Sequence, residues 1–234
     1  MLLKPSCFIF FTAVRDMIPL LVAAAPFGTV YGALAISHGL PETLVMAMSL
    51  LVFAGASQFI AVTLMASSTV YPVILLTVFI VNLRHMLYSA SLMHQVENVP
   101  RWLRAPMAFW LTDESYAVVS RYVMAKPVPP QFIAYYLGAS LSMYITWAFF
   151  SWLGMTLGQQ IPDLEKWGLD VAMIVAFVGI VVPSLRTRAD WACAITATFS
   201  ALLTFDWPHQ AGMLFSSLVA ILVGVLLSKK EEVK

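Results

Sequence analysis

Two short segments, Asn82-Leu83-Arg84-His85 and Leu111-Thr112-Asp113-Glu114, place ionisable side chains among apolar neighbours. Charges sheltered from water are normally paired, so Arg84 is expected to meet Asp113 or Glu114. On a helix Glu114 points about 100° away from Asp113, so only one carboxylate need face a common pathway. A sheltered carboxylate can exchange protons near neutral pH, and a histidine such as His85 does so without special help. The competing reading is structural: Arg84 snorkels to a headgroup, the acids lie in an interfacial loop, and His85 is merely hydrogen-bonded. Tyr116-Ala117-Val118-Val119 after the acids is not a loop composition, which favours the sheltered site for Asp113.

Two further segments carry polar or helix-breaking residues where a lipid-facing helix has no use for them. Pro26-Phe27-Gly28 is expected to break its helix, freeing amide groups and aiming a positive helix end at an anionic group. The alternative is a proline kink with Gly28 and Gly32 forming a small-residue packing face. In Ala54-Gly55-Ala56-Ser57-Gln58 the small residues permit close backbone approach, and Gln58 either holds a ligand or joins packed helices. The candidate substrate-binding residues are therefore Pro26, Phe27, Gly28, Gly55, Ser57, Gln58 and Asn82, with Arg84, His85, Asp113 and Glu114 as the coupling group.

Catalysis has little footing. Ser57 lacks the Gly-x-Ser-x-Gly context and a base, and His38, His85, His94 and His209 show no metal-ligand spacing. No cofactor or metal is expected. Cys7 and Cys193 are far apart and read as packed, reduced thiols. With 13 basic and 12 acidic residues, the chain has no basic patch suited to nucleic acid.

The elements that position these residues follow from charge spacing. Between Glu42 and Arg84 run 41 residues without a charge, about 60 Å of helix and so roughly two crossings of a 30 Å hydrocarbon core. The composition is 61% hydrophobic and 11% charged, against roughly 25% charged in soluble domains. An all-α, polytopic membrane helix bundle is expected, with broken helices. Its hydrophobic segments are 17–37, 43–65, 71–93, 131–157, 168–185, 190–205 and 210–228, with an eighth at 105–122 if that segment crosses. Residues 1–16 read as an interfacial helix rather than a cleaved signal, because Arg15 and Asp16 interrupt the apolar run. Residues 229–234 read as a charged tail, and the whole of 1–234 as one membrane domain. Basic pairs at Arg186 with Arg188 and Lys229 with Lys230 put the C-terminus in the cytoplasm. The side of the N-terminus depends on whether seven or eight segments cross. No internal repeat is visible.

At these motifs the chain resembles the AzlC family of branched-chain amino-acid permeases, the large subunits of the LIV-E exporters. The likeness rests on Pro26-Phe27-Gly28, Phe53-Ala54-Gly55-Ala56-Ser57-Gln58-Phe59, Asn82-Leu83-Arg84-His85 with Tyr88, Leu111-Thr112-Asp113-Glu114 and, most weakly, Val181-Val182-Pro183-Ser184-Leu185-Arg186. The resemblance implies a bacterial inner-membrane exporter of valine, leucine, isoleucine and sometimes methionine. It further implies a proton gradient as driving force and a small AzlD-type membrane subunit as partner. It assigns no residue a role. The expected mechanism is accordingly an assignment from residue chemistry alone: amides at helices broken around Pro26-Phe27-Gly28 and Gly55-Ala56-Ser57 take the substrate carboxylate, and Asp113 or Gln58 takes its ammonium group. A channel or scaffold subunit whose polar residues only pack helices is the alternative.

Overall fold

The computed structural model describes residues 6–97, 99–125, 131–158, 178, 182, 185–207 and 211–232. Among them the regular elements are helices, with no strand. They belong to two compact units, residues 1–70 with 81–173 and residues 71–80 with 174–234.

Helix α1 (Ser6–Ser37) runs 32 residues unbroken and carries Pro19 and Pro26 inside it. One expectation is corrected by this helix. The break at Pro26-Phe27-Gly28 is absent, and residues 6–16 form the first turns of α1. The reason is its packing against α9 (Phe132–Gly158), the long helix expected at 131–157. A Cβ at Gly32 would collide with the Ser151 carbonyl oxygen and stand 2.7 Å from the Met155 amide nitrogen. One at Gly154 would collide with the Thr29 carbonyl. Backbones touching over this length hold α1 on course, so the N–H missing at Pro26 costs a hydrogen bond and not the helix. Gly28 takes the packing role: its Cβ would sit 3.0 Å from Phe150 Cβ.

Where a break does occur is in the next apolar segment. Residues 43–65 form α2 (Glu42–Leu51) and α3 (Gly55–Ala66), separated by 52–54. The segment expected at 105–122 is likewise α7 (Arg101–Phe109) and α8 (Asp113–Ala125), separated by 110–112. Each of these helices is about 14–20 Å long, less than the roughly 30 Å of a hydrocarbon core. Between the two pairs lie α4 (Tyr71–Asn82), α5 (Arg84–Ser91) and the single turn α6 (Met93–Val96), with Leu83 in near-helical geometry joining α4 to α5. Three described helical stretches are long and apolar enough to cross a membrane by themselves: α1, Tyr71–Ser91 and α9.

In the second unit, α10 (Arg188–Leu203) and α11 (Ala211–Glu232) lie antiparallel, with Gly224 against Cys193 and Gly212 against Thr204. They match the windows at 190–205 and 210–228, except that α11 continues through the charged residues 229–232 expected as a tail. Thr187 and Asp190 close a capping box at the start of α10. Both cysteines are free thiols; Cys193 is half-buried, but Cys7 is exposed rather than packed. Most of the window at 168–185 and half of the Val181–Arg186 motif lie outside the described residues.

Candidate functional site

The first interruption is set by Phe53, whose φ of +43° is a left-handed geometry that a bulky residue seldom adopts. Its ring is buried and fixed edge-on against Tyr144, at 4.9 Å and 84° between centroids and planes. Ala54 then turns extended and heads α3 with no side-chain cap, leaving the first amides of that helix without the partner a Ser or Asp would supply. Gly55 follows because Trp147 lies across it: a Cβ there would stand 2.9 Å from the indole ring.

Behind this turn is a buried polar network. Gln58 is fully buried; its Nε2 donates to Ser49 Oγ at 3.2 Å, and its Oε1 accepts from Trp147 Nε1 at 2.9 Å. Ser57, also fully buried, donates to Asn82 Oδ1 at 2.6 Å. Tyr31 of α1 donates to the Val45 carbonyl at 3.1 Å and stacks on Trp147 at 6.0 Å. Of the two readings of Gln58, the geometry favours helix joining, since both ends of the amide are spent on α2 and α9. The same holds for Ser57, which ties α3 to the end of α4.

The second interruption carries the charges. Thr112 caps α8 in a reciprocal pair: its N–H donates to Ser115 Oγ at 2.8 Å, and the Ser115 N–H donates to Thr112 Oγ1 at 3.3 Å. Asp113 and Glu114 therefore occupy the first turn of a helix, where the macrodipole favours carboxylates. Arg84 Nη1 stands 3.0 Å from Asp113 Oδ2, and the Tyr88 hydroxyl donates to Oδ1 at 2.7 Å. The expected pair is thus formed with Asp113, and both of its oxygens are gripped from α5. Both side chains are largely sheltered, with exposures of 28% for Arg84 and 18% for Asp113. His85 Nδ1 lies 3.1 Å from the Asn82 carbonyl, which can only accept, so this nitrogen bears the hydrogen. His85 is anchored to the backbone at the α4–α5 joint.

The interruptions meet at one residue. Tyr144, on α9, has the rings of Phe53, Phe109 and Trp110 at 4.9, 6.1 and 6.3 Å, and its hydroxyl donates to the Leu50 carbonyl at the end of α2. Phe53 and Phe109 are themselves 6.3 Å apart. An uncapped helix start, an acid-bearing helix start and a wall of aromatic rings are thereby brought together. Pro26, Phe27 and Gly28 contribute no freed amide there, because α1 is continuous.

Sequence reasoning named Tyr88 and Tyr116 only as neighbours of the charged motifs and gave neither of them, nor Tyr144 and Trp147, a role in the site. Tyr88 is one turn beyond Arg84 and Tyr116 one turn beyond Asp113, a spacing that could have placed them on the charged faces of their helices. Their rings stack at 4.5 Å and 12°. Tyr144 and Trp147 carry no local signal, being far from both breaks in sequence.

Comparison with known proteins bears on the same region. The family described as AzlC protein matches residues 19–161. An uncharacterized membrane protein of Archaeoglobus fulgidus is 33% identical over 174 residues, 73% of each chain. One from Helicobacter pylori is 23% identical over 226 residues, 95% of this chain and 97% of the relative. The inner membrane protein YgaZ of Escherichia coli is 26% identical over 228 residues, 95% of this chain and 89% of its own. No solved structure matches the chain.

Proposed function

We propose that this chain, which belongs to the AzlC family of membrane proteins, is a secondary transporter that exports branched-chain amino acids across a bacterial inner membrane. The observation that carries the reading is the meeting of two interrupted helices at Tyr144, with a carboxylate pair at the start of one of them. Interrupted helices that present their N-termini to a common centre are a recurrent way to build a solute site inside a bilayer.

The substrate carboxylate is taken by the uncapped amides at Gly55, Ala56 and Ser57. Its ammonium group is taken by the acids that open α8, because the Gln58 amide is already held between Ser49 and Trp147. Phe53, Phe109 and Tyr144 supply an apolar surface for valine, leucine, isoleucine or methionine side chains. Arg84 balances Asp113 and keeps the centre from accumulating charge. Proton movement along its gradient drives export, and a small membrane subunit of the AzlD type works with this chain.

The test is flux of labelled valine, leucine, isoleucine and methionine in proteoliposomes, with and without the small subunit. Saturable uptake and counterflow are expected. A linear flux marks a channel, and absence of flux marks a scaffold; either outcome overturns the reading.

A further inference from the structure

We propose that Glu114 is the exchange group of this site, its carboxylate holding by turns one proton and the ammonium group of the solute, while Asp113 stays fixed between Arg84 and Tyr88. This assignment rests on the transporter reading and divides labour between two acids that the sequence treats as interchangeable.

The division follows from counting partners. Both oxygens of Asp113 are engaged, by Arg84 Nη1 at 3.0 Å and by the Tyr88 hydroxyl at 2.7 Å. Asp113 and Arg84 cancel. Glu114, half-buried in the same first turn, has the Thr112 hydroxyl and its own backbone as hydrogen-bonding neighbours, with Arg84 as the cation whose field reaches it. That cation is already spent.

The elements packed around α8 bring no substitute. From α5 come Arg84, His85 and Tyr88; His85 is turned to the backbone, its Nδ1–H donated to the Asn82 carbonyl. Helix α9 contains no Asp, Glu, Lys or Arg. Helix α1 contains Arg15 and Asp16, and Asp16 accepts from Tyr135, whose ring stacks on Tyr122 far along α8. Among the described residues, the centre around Glu114 is thus short by one positive charge.

A carboxylate in such a place is costly unless a cation balances it. Two are at hand for an amino-acid carrier: a proton, or the ammonium of the solute. When the solute enters, Glu114 releases its proton to water and its oxygens accept from the ammonium N–H groups. When the solute leaves, a proton replaces it. In either state the Glu114 carboxyl is matched by one cation, the solute's own carboxylate resting on the first amides of α3, and one proton moves against one zwitterion.

The experiment uses the full chain in everted vesicles, measuring the apparent affinity for labelled leucine between pH 5 and pH 8. Competition with one proton weakens wild-type affinity by up to about tenfold per pH unit on the acid side. Glu114→Gln is expected to bind leucine more weakly and with a pH response below about twofold per unit. Should the Gln variant carry no flux, Glu114→Asp decides: flux with the wild-type pH response supports the assignment, and flux without it overturns it. A wild-type response persisting in Glu114→Gln, or lost in Asp113→Asn while Glu114→Gln retains it, assigns the exchange elsewhere and leaves the transporter reading standing. No saturable leucine flux in the wild type removes that reading and this assignment together.

Discussion

The Tyr88 hydroxyl donates to Asp113 Oδ1 at 2.7 Å while Arg84, one turn earlier on α5, takes Oδ2 at 3.0 Å. Two residues at i and i+4 thus close on one carboxylate, and the grip continues outward. The Tyr88 ring stacks on Tyr116, whose hydroxyl pairs with Ser91 Oγ at 2.9 Å. Arg84, Tyr88 and Ser91 form a stripe along α5 that faces Asp113 and Tyr116 along α8. The seam is made of long polar side chains. That contrasts with the α1–α9 contact, where glycines let main chains touch.

Tyr88→Phe removes one bond to a charged acceptor while keeping the ring and its stack. Hydrogen bonds to charged groups contribute about 1.5–3 kcal/mol, so the purified variant should unfold at lower temperature in detergent. Leucine flux should fall with it, because Asp113 gains freedom to turn away from Arg84. An unchanged midpoint would show that the phenol contributes only its ring.

Arg84→Gln and Asp113→Asn should each be worse than the two together. Removing one member of a sheltered pair leaves the other uncompensated, at a cost of about 3 kcal/mol for groups as partly exposed as these. The double variant has no stranded charge and should recover most of the folded yield while remaining inactive in flux. Additive losses in a double-mutant cycle of thermal stability would mean the pair is not coupled.

The sequence made the membrane class and the charge pair legible for a simple reason: both depend on residue type and not on where helices end. A charge-free run of 41 residues has few explanations, and a lone arginine in apolar surroundings needs an acid. The location of the breaks was half legible. Gly55 flagged one because only glycine fits under Trp147, but the decisive strain is at Phe53, a residue type that gives no warning of a positive φ. Pro26 gave a false signal, since a proline's effect depends on whether a neighbouring helix holds the chain, and the spacing of Gly32 from Gly154 cannot show that. A regularity emerged only with the helix ends in view: α2 with α3 and α7 with α8 share a pattern of two short helices around a three-residue gap. Residues in matching places differ too much for this to show as a repeat.

Gln58→Leu tests whether the buried amide is structural. The change keeps roughly the volume but strands Trp147 Nε1 without its acceptor and takes one of the partners of Ser49 Oγ, about 1–3 kcal/mol for a buried group left unsatisfied. Lower thermal stability is expected, with a leucine KM close to wild type in the protein that remains folded. A KM raised tenfold or more at unchanged stability would instead place Gln58 on the solute.

Gly55→Ala should be more damaging than its single added methyl suggests. The new Cβ stands 2.9 Å from the Trp147 ring, which cannot move freely because its Nε1 is bonded to Gln58 and its face is stacked on Tyr31. Overpacking of this kind costs about 1–3 kcal/mol. It also shifts the first amides of α3, so flux should drop more than stability does. A variant with wild-type flux and midpoint would mean that the start of α3 is neither tightly packed nor used.

Pro26→Ala separates a continuous α1 from a broken one. In an unbroken helix the new N–H can bond to the carbonyl one turn back, and alanine is the better helix former by up to about 3 kcal/mol. Midpoint and flux should therefore hold or rise, since Gly28 and Gly32 keep their contacts with Phe150 and Ser151. If α1 instead opened at Pro26 to offer amides to the solute, straightening it would close those amides. Flux would then collapse in a protein more stable than wild type.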